Sequence, residues 1–283
     1  MPIIEVSSLN YRYVGQRDYV LRDISFMVNE GEFVLIVGPS GCGKSTLCRC
    51  LNGLIPHFYE GDLEGDVWVA GHRVRETPTH VLSQHVGMVF QNPQNQLFSL
   101  SVENDVAFAL ENLSLPREEI RRRVDEVLSL LGITELRDRS PFELSGGQQQ
   151  KVAIASVLAM RPRIIILDEP TSFLDPASSL NLIETIDRIR KSLGLTVLLV
   201  EHRIELAAPR ANRLIVMNNG QIVYDGNPAE FFERYDAHSY GVYVPKVVRL
   251  AREVNKHVRL FNKPPLSPEE FEERVRMFAS RRV

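Results

Sequence analysis

The sequence contains no apolar run that approaches the roughly 20 residues needed to cross a bilayer. It also lacks an excess of charge: 36 acidic and 33 basic residues leave a formal net charge of −3, which gives no global attraction to nucleic acid. Its first residues show neither the basic nor the apolar region of a secretory signal. We therefore expect a cytoplasmic chain, and its 283 residues suffice for one large domain with or without an appendage.

The most specific feature of the sequence is a glycine-rich stretch between an apolar run, 33–37, and the start of a predicted helix at 47–51. Its pattern, a glycine, four residues and then Gly-Lys-Ser, predicts a P-loop, in which backbone N–H groups and a helix N-terminus cradle nucleotide phosphates. Lys44 would reach the β- and γ-phosphates, and the Ser45 hydroxyl would ligate Mg²⁺. The alternative, a turn that binds nothing, is disfavoured by the flanking strand and helix. The stretch reads Gly38-Pro39-Ser40-Gly41-Cys42-Gly43-Lys44-Ser45-Thr46.

Cysteine is rare, and the three residues lie at positions 42, 48 and 50, in or just after the predicted P-loop. On a helix Cys48 and Cys50 would point to nearly opposite faces, so they are not expected to share a metal ion. We interpret all three as reduced thiols that pack as small core residues. Because Cys42 lies inside the cradle, its alkylation is expected to block nucleotide binding sterically.

Polar side chains follow three further apolar runs that predict buried strands. The carboxyl ends of parallel strands face the crevice where ligands bind. Two adjacent carboxylates at such an end are costly unless a cation or a reaction needs them. We therefore predict functional residues where these strands end. The strands with their polar ends are 86–90 with Gln91, 163–167 with Asp168 and Glu169, and 196–200 with His202.

The remaining pattern alternates strands with helices and predicts an α/β fold with a mostly parallel sheet and an antiparallel β portion near the N-terminus. Tyr13 lies between the first two predicted strands, where it would either stack on a base or pack, and the residues alone leave both readings open. A second glycine pair precedes a helix at 144–148, and a helix N-terminus there is another place for an anion. Predicted strands are 3–9, 20–28, 67–69, 213–217 and 221–224, and predicted helices are 102–113, 117–131, 148 to about 160, and 176 to about 193.

From about residue 228 the pattern changes to short helices with aromatic residues. A capping box with proline at the first helical position, 267–270, predicts a helix to about residue 280. Residues 246–283 hold ten Lys and Arg against five Glu. We interpret 228–283 as a small appended module whose basic face is solvated; contact with a membrane surface or RNA is the alternative.

Six motifs in order, over about residues 3–227, resemble those of ATP-binding cassette (ABC) proteins. The resemblance implies a P-loop NTPase fold of the ABC nucleotide-binding domain type: a parallel core sheet, an antiparallel β subdomain and an α-helical signature subdomain at about 92–162. It implies a domain at 1–227 and a mainly helical C-terminal extension at 228–283, a candidate dimerisation module. The motifs are the P-loop, the Q-loop glutamine Gln91, the LSGGQ signature at 144–148, the Walker B strand with Asp168 and Glu169, the D-loop at Leu174-Asp175, and the switch histidine His202.

The same resemblance assigns roles to these residues. Tyr13 would stack on adenine, and Asp168, Ser45 and Gln91 would surround Mg²⁺. Glu169 would orient or activate the attacking water, while His202 and Lys44 face the phosphate charge. In this family the signature of one subunit closes over the nucleotide held by the P-loop of another, so an isolated monomer should bind ATP but hydrolyse it poorly. The signature and D-loop residues that would contact the partner's ATP are Ser145, Gly146, Gly147, Gln148 and Asp175.

Within the ABC class, residues 91–98 and 105–108 resemble the ATPase subunits of energy-coupling factor (ECF) transporters, although Ala109-Leu110 departs from the Gly-Pro often found there. ECF importers take up vitamins, their precursors, or nickel and cobalt ions. Two ATPase subunits, identical or related, dock on a transmembrane coupling protein beside a substrate-binding membrane protein. The resemblance implies a peripheral position at the cytoplasmic face of the membrane, with docking through the segment after Gln91 and no nucleic-acid partner.

Three other readings compete with this one. The ATPase of an ordinary ABC importer often carries a larger β-rich C-terminal domain, which the helical tail does not resemble. A non-transport ABC protein would carry a long coiled coil between P-loop and signature, or two cassettes in one chain, and the sequence has neither. A degenerate cassette that binds ATP without hydrolysing it is disfavoured because Glu169 and His202 are both present.

Overall fold

A computed structural model gives the fold and describes residues 2–280. Ten strands form two sheets within these residues, a six-stranded sheet and a four-stranded one. The strands are β1 (Pro2–Tyr13), β2 (Leu21–Asn29), β3 (Phe33–Val37), β4 (Gly61–Val69), β5 (His72–Arg73), β6 (Val86–Val89), β7 (Ile164–Asp168), β8 (Thr196–Val200), β9 (Arg213–Asn218) and β10 (Gln221–Gly226).

Helices cover much of the rest of residues 2–280, and none there is long and apolar enough to cross a membrane. Short 3₁₀ turns lie at Val74–Glu76, Pro93–Asn95, Thr134–Leu136, Pro141–Glu143 and Ala237–Tyr240. The α-helices are α1 (Lys44–Leu51), α2 (Leu54–His57), α3 (Thr79–Leu82), α4 (Val102–Asn112), α5 (Arg117–Leu131), α6 (Gly146–Ala159), α7 (Pro176–Leu193), α8 (Ile204–Ala207), α9 (Pro228–Arg234), α10 (Lys246–Asn255) and α11 (Pro268–Ser280).

The six-stranded sheet has the order β10-β9-β3-β8-β7-β6, and all neighbours are parallel except β10 with β9. Its central strands are buried on both faces, which is why they read as unbroken apolar runs in the sequence. Asp168 pairs with Val200 in register, so β7 and β8 end at the same edge. The predicted α/β class with a mostly parallel sheet is confirmed.

The four-stranded sheet, β2-β1-β4-β5, is antiparallel, as predicted for the N-terminal part. Its strand β4 starts at Gly61 rather than at residue 67, because β1 extends to Tyr13 and pairs with it there. The short α2 precedes it, between α1 and β4. Between the two sheets lies α1, whose Leu47 and Leu51 are fully buried.

Helices α4, α5 and α6 pack together, and α5, predicted at 117–131, is capped by Gly132 in the left-handed conformation. After residue 227, Phe231 and Phe232 join the same core cluster as β3, whereas α11 buries none of its residues. A domain boundary at 227 remains a prediction. Residues 281–283 of the predicted extension, like Met1, lie outside the described residues.

Candidate active site

The predicted P-loop connects β3 to α1 and depends on glycine at two positions. Gly38 has φ +148°, and a Cβ there would lie 2.1 Å from the carbonyl oxygen of Met217. Gly43 has φ +104°, and its Cβ would lie 2.9 Å from the Val20 oxygen. A side chain at either position would fill or distort the loop. The strand–loop–helix context predicted for this stretch is confirmed.

Lys44 folds back over the loop. Its Nζ donates to the carbonyl oxygens of Gly38, at 2.9 Å, and Pro39, at 3.0 Å, and the residue is only 5% exposed. The third donor of the ammonium faces the Cys42 sulfur at 3.9 Å, a weak acceptor that a phosphate oxygen can replace. A pocket of about 310 Å³ opens beside it, lined by Val20, Ser40, Gly41, Gly43, Lys44, Ser45, Thr46, Gln91 and Glu169.

Asp168 ends β7 with a buried carboxylate that is only partly satisfied. Its Oδ1 has no hydrogen-bond partner among residues 2–280. Burial raises its pKa, and a hydrogen bond from Ser45 opposes that shift. An unpaired buried carboxylate oxygen is costly unless a cation occupies the space beside it. Carboxylate and hydroxyl oxygens are the donors that Mg²⁺ prefers, so Asp168 and Ser45 fit that ion.

The Glu169 carboxylate contacts polar side chains from the segments that follow three strands. Its Oε2 accepts from Gln91 Nε2 at 2.8 Å and from Ser172 Oγ at 3.2 Å, and its Oε1 lies 2.9 Å from His202 Nε2. An ionised carboxylate only accepts, so His202 Nε2 carries the proton. Three of about four lone-pair sites are thus occupied, leaving about one for a water. The structure brings together Gln91, Glu169 and His202, as the strand ends predict.

Glu201 is a further buried carboxylate that the sequence interpretation did not single out. It is 2% exposed, burial raises its pKa, and it accepts from the backbone N–H groups of Thr171, at 3.1 Å, and His202, at 3.2 Å. It therefore ties the segment after β7 to the residue that contacts Glu169. The available signal was an acid at the end of an apolar strand, the same signal that singled out Asp168.

The signature residues lie apart from the cradle in a single chain. Ser145 caps α6 in a capping box with Gln148, and Asp175 caps α7 by accepting from Ala177 N at 2.9 Å and Ser178 N at 3.0 Å. A hydrogen bond from the Ser178 side chain, together with these backbone bonds, lowers the pKa of Asp175. Gly147 lines a pocket with Ser145 and Gln148, and no residue of the cradle lines it; Gly146 begins the helix.

Tyr13 lies beside the cradle. Its hydroxyl accepts from Arg49 Nη1 at 3.0 Å and lies 3.2 Å from Thr46 Oγ1, and its ring meets the edge of Tyr11 at 4.8 Å. The packing anticipated for a tyrosine at a strand end is thus present. Stacking on a base remains a prediction.

The structure sharpens the prediction for Cys42. Its thiol is 6% exposed, lies 3.9 Å from Lys44 Nζ, and burial raises its pKa. Alkylation by iodoacetamide should therefore be slow near neutral pH, accelerate as the pH rises, and abolish ATP binding once complete. Mass spectrometry and ATP titration of the same sample measure both quantities.

Two observations control this experiment. The Cys42→Ala variant should bind ATP before and after treatment, since Cys48 and Cys50 are at most 1% exposed. Unchanged ATP affinity after stoichiometric modification of Cys42 would contradict the prediction.

Comparison with known proteins gives concordant matches. The family model described as ABC transporter matches residues 21–172. A protein of Pyrococcus abyssi named as an ABC transporter ATP-binding protein is 44% identical over 257 residues, which cover 90% of this chain and 92% of that protein. A Bacillus subtilis protein named as an HMP/thiamine import ATP-binding protein is 40% identical over 89% of this chain; the match covers 47% of that longer protein.

Two solved structures have similar folds. The structure of cbiO1 from Clostridium perfringens, described as part of the ABC transporter complex cbiONQ, matches with a TM-score of 0.76 and 34% identity over 91% of this chain and 96% of that chain. A dimeric ATP-binding cassette in a post-hydrolysis state, bound to ADP and Pi, matches with a TM-score of 0.70 and 29% identity over 79% of this chain and 98% of that chain.

Proposed function

The chain belongs to the ABC transporter family, and from this premise we propose that it is the ATP-hydrolysing subunit of an ECF-type importer. As an ABC-type ATPase it binds ATP and hydrolyses it. The assignment of the site rests on one observation. Gln91 and His202 both contact Glu169 at the pocket that Lys44 and Ser45 line.

We assign the phosphates of ATP to the cradle of residues 38–46. The N–H groups of the loop and the first turn of α1 point at the anion, and Lys44 exchanges its loop carbonyls for phosphate oxygens. Asp168, Ser45 and Gln91 would hold Mg²⁺, which when bound neutralises phosphate charge. The Oδ1 of Asp168, which has no hydrogen-bond partner within residues 2–280, supports this assignment.

We assign to Glu169 the role of orienting the attacking water and accepting its proton. Gln91 contacts one of its oxygens and His202 the other, and about one lone-pair site stays open. His202, with its proton on Nε2, would move toward the γ-phosphate when that group arrives. The developing charge is then shared between Lys44 and His202.

Two structural features support a partnership between two chains. The N-terminus of α6, which begins after the exposed Ser145, presents first-turn N–H groups such as that of Gly147 to an anion, and it lines a pocket separate from the cradle of its own chain. We assign it to the nucleotide of a second ATPase subunit, identical or related. The extension 228–283, whose α11 exposes Val275 and Met277, is a candidate for further dimer contacts.

The ECF assignment rests on the motif resemblance and on two similar proteins. The likeness to cbiO1 extends over almost the whole of both chains, and that protein is part of a multi-subunit transporter. The relative from Bacillus subtilis is named for HMP/thiamine import. We propose a vitamin or its precursor as the cargo class, with a transition-metal ion as the second class.

An apolar patch after Gln91 supports docking on a transmembrane coupling protein at the cytoplasmic face of the membrane. Phe98, Leu100 and Phe108 are 58%, 86% and 44% exposed, and the two phenyl rings meet edge to face at 4.7 Å. The buried Asp105 accepts from the N–H groups of Phe98 and Ser99 and so fixes the loop. Such apolar side chains, held in place and exposed, are typical of a protein interface.

Purification from native membranes tests this function. The tagged chain, extracted in mild detergent, should retain an integral coupling protein and a small substrate-binding membrane protein. Leu100→Asp should lower the amount of co-purified membrane proteins by at least about tenfold, since a buried unpaired charge in an interface costs several kcal/mol. Mass spectrometry of the eluate measures recovery.

The matched control is Leu193→Asp, which changes another exposed leucine, 50% exposed against 86% for Leu100, at the far end of α7 and should leave recovery unchanged. Recovery of a permease with an extracytoplasmic binding protein instead would assign the chain to an ordinary ABC importer. ATPase activity stimulated by DNA or ribosomes, with no membrane partner, would contradict the transport assignment.

A further inference from the structure

Arg49 is the one arginine of α1, and it lies between two buried cysteines of that helix. Its guanidinium is 4.9 Å above the ring of Tyr59, and its Nε is buried without a hydrogen-bond partner among residues 2–280. Its Nη1 donates to the Tyr13 hydroxyl at 3.0 Å. This half-buried, charged guanidinium donates a hydrogen bond to a neutral hydroxyl. Because burying a charge is costly, the arrangement needs an explanation beyond packing.

The direction of the hydrogen bonds supplies that explanation. Arginine can only donate, so the Tyr13 oxygen accepts from it. Thr46 and Arg49 are the two partners of this hydroxyl within residues 2–280, and across the 3.2 Å to Thr46 Oγ1 either hydroxyl could be the donor. We assign Tyr13 as the donor, because of its two partners there only Thr46 can accept its proton. Thr46 then accepts from Tyr13 and keeps its own proton for another acceptor. That residue is 7% exposed and lines the pocket of the cradle.

We propose that Arg49 is a positioning residue for nucleotide binding, which acts through Tyr13 and Thr46. The chain Arg49→Tyr13→Thr46 directs the threonine proton toward a phosphate oxygen and fixes the Tyr13 ring at the side of the cradle. Tyr13 thereby has two separable functions: its ring contacts the base and its hydroxyl acts on the phosphate site. The inference rests on the proposed function, in which the cradle binds ATP and Tyr13 stacks on adenine.

Tyr13→Phe separates the two functions because it keeps the ring and removes the hydroxyl. Dissociation constants are measured for ATP and for inorganic tripolyphosphate, which has no base, by competition against a fluorescent nucleotide. Loss of one hydrogen bond should weaken both ligands by about three- to tenfold. Arg49→Met should lower the two affinities by a similar factor. The double variant should bind each ligand as tightly as the weaker-binding of the two single variants, since both substitutions break the same hydrogen-bond chain.

Tyr13→Ala provides the comparison with base stacking. It should weaken tripolyphosphate no more than Tyr13→Phe does, but weaken ATP further. Arg12→Met, which removes a neighbouring surface arginine paired with Asp62, is the matched control and should leave both ligands unchanged. Thermal melting identifies any variant that has lost its fold. If Arg49→Met unfolds, Tyr13→Phe, which is nearly isosteric with the original residue, still tests the inference.

Normal tripolyphosphate affinity in Tyr13→Phe overturns the inference, whatever the arginine variants do. Independent, additive losses in Tyr13→Phe and Arg49→Met would also overturn it, since they would not form one chain. Equal losses of ATP and tripolyphosphate in Tyr13→Ala would reject base stacking while leaving the hydroxyl chain intact. Undiminished ATP binding by Lys44→Ala would reject the nucleotide site itself, so the failures are distinguishable.

Discussion

Glu169→Gln should bind ATP as tightly as the unchanged chain and lose turnover by about 100- to 10,000-fold. The carboxylate lies at the edge of the cradle and not among the groups that would grip the phosphates, so binding should survive. Glutamine preserves the shape but has no negative charge to take a proton from water. One of its termini is also a donor, which would face the donor Nε2 of Gln91 or His202.

Single-turnover hydrolysis together with ATP titration separates binding from chemistry. Glu184→Gln is the matched control, because this glutamate pairs with Arg210 on the surface of α7, and it should hydrolyse ATP normally. Turnover within about threefold of normal in Glu169→Gln would remove Glu169 from the reaction and leave Asp168 as the remaining carboxylate of that strand end.

The main sheet and the meeting of its polar strand ends were predictable because parallel strands impose a common edge. Five buried residues in succession mark β7 and β8, and a residue that follows such a run must emerge where the strand ends. This pattern predicts the positions of Asp168 and His202 without reference to any contact. The ABC nucleotide-binding fold implied by the motifs is confirmed by the similar solved structures.

The contacts that orient these groups were not predictable, because they depend on approach between distant segments. Arg49 and Tyr13 are 36 residues apart in the chain and meet only when α1 packs under β1. Likewise, Glu201 accepts from Thr171 N across 30 residues. The hydrophobic periodicity and the composition of a segment indicate which face of an element is buried, but they do not indicate which residue a polar atom will bond to. The start of β4 at Gly61 has the same cause, since pairing with β1 sets it.

The second large effect concerns the number of chains needed for turnover. The monomer should bind one ATP with an affinity that does not depend on protein concentration, whereas its hydrolysis rate per subunit should fall on dilution. When dimers are the minor species, mass action makes that rate proportional to concentration, so each tenfold dilution should lower it about tenfold. The physical reason is that the α6 N-terminus and the cradle line separate pockets in one chain.

A substitution in the signature distinguishes a true dependence of the hydrolysis rate on dimer formation from simple loss of protein at low concentration. Ser145→Arg should leave monomer ATP affinity intact and lower turnover by at least about 100-fold, because the side chain would occupy the place of the partner's phosphate. Ser192→Arg, at an exposed serine near the end of α7, should leave both quantities unchanged. A rate per subunit that stays constant on dilution to monomer, or normal turnover by Ser145→Arg, would mean that each chain contains a complete active site. The first-turn N–H groups of α6 would then need another anion, and the capping box of Ser145 and Gln148 would have a purely structural role.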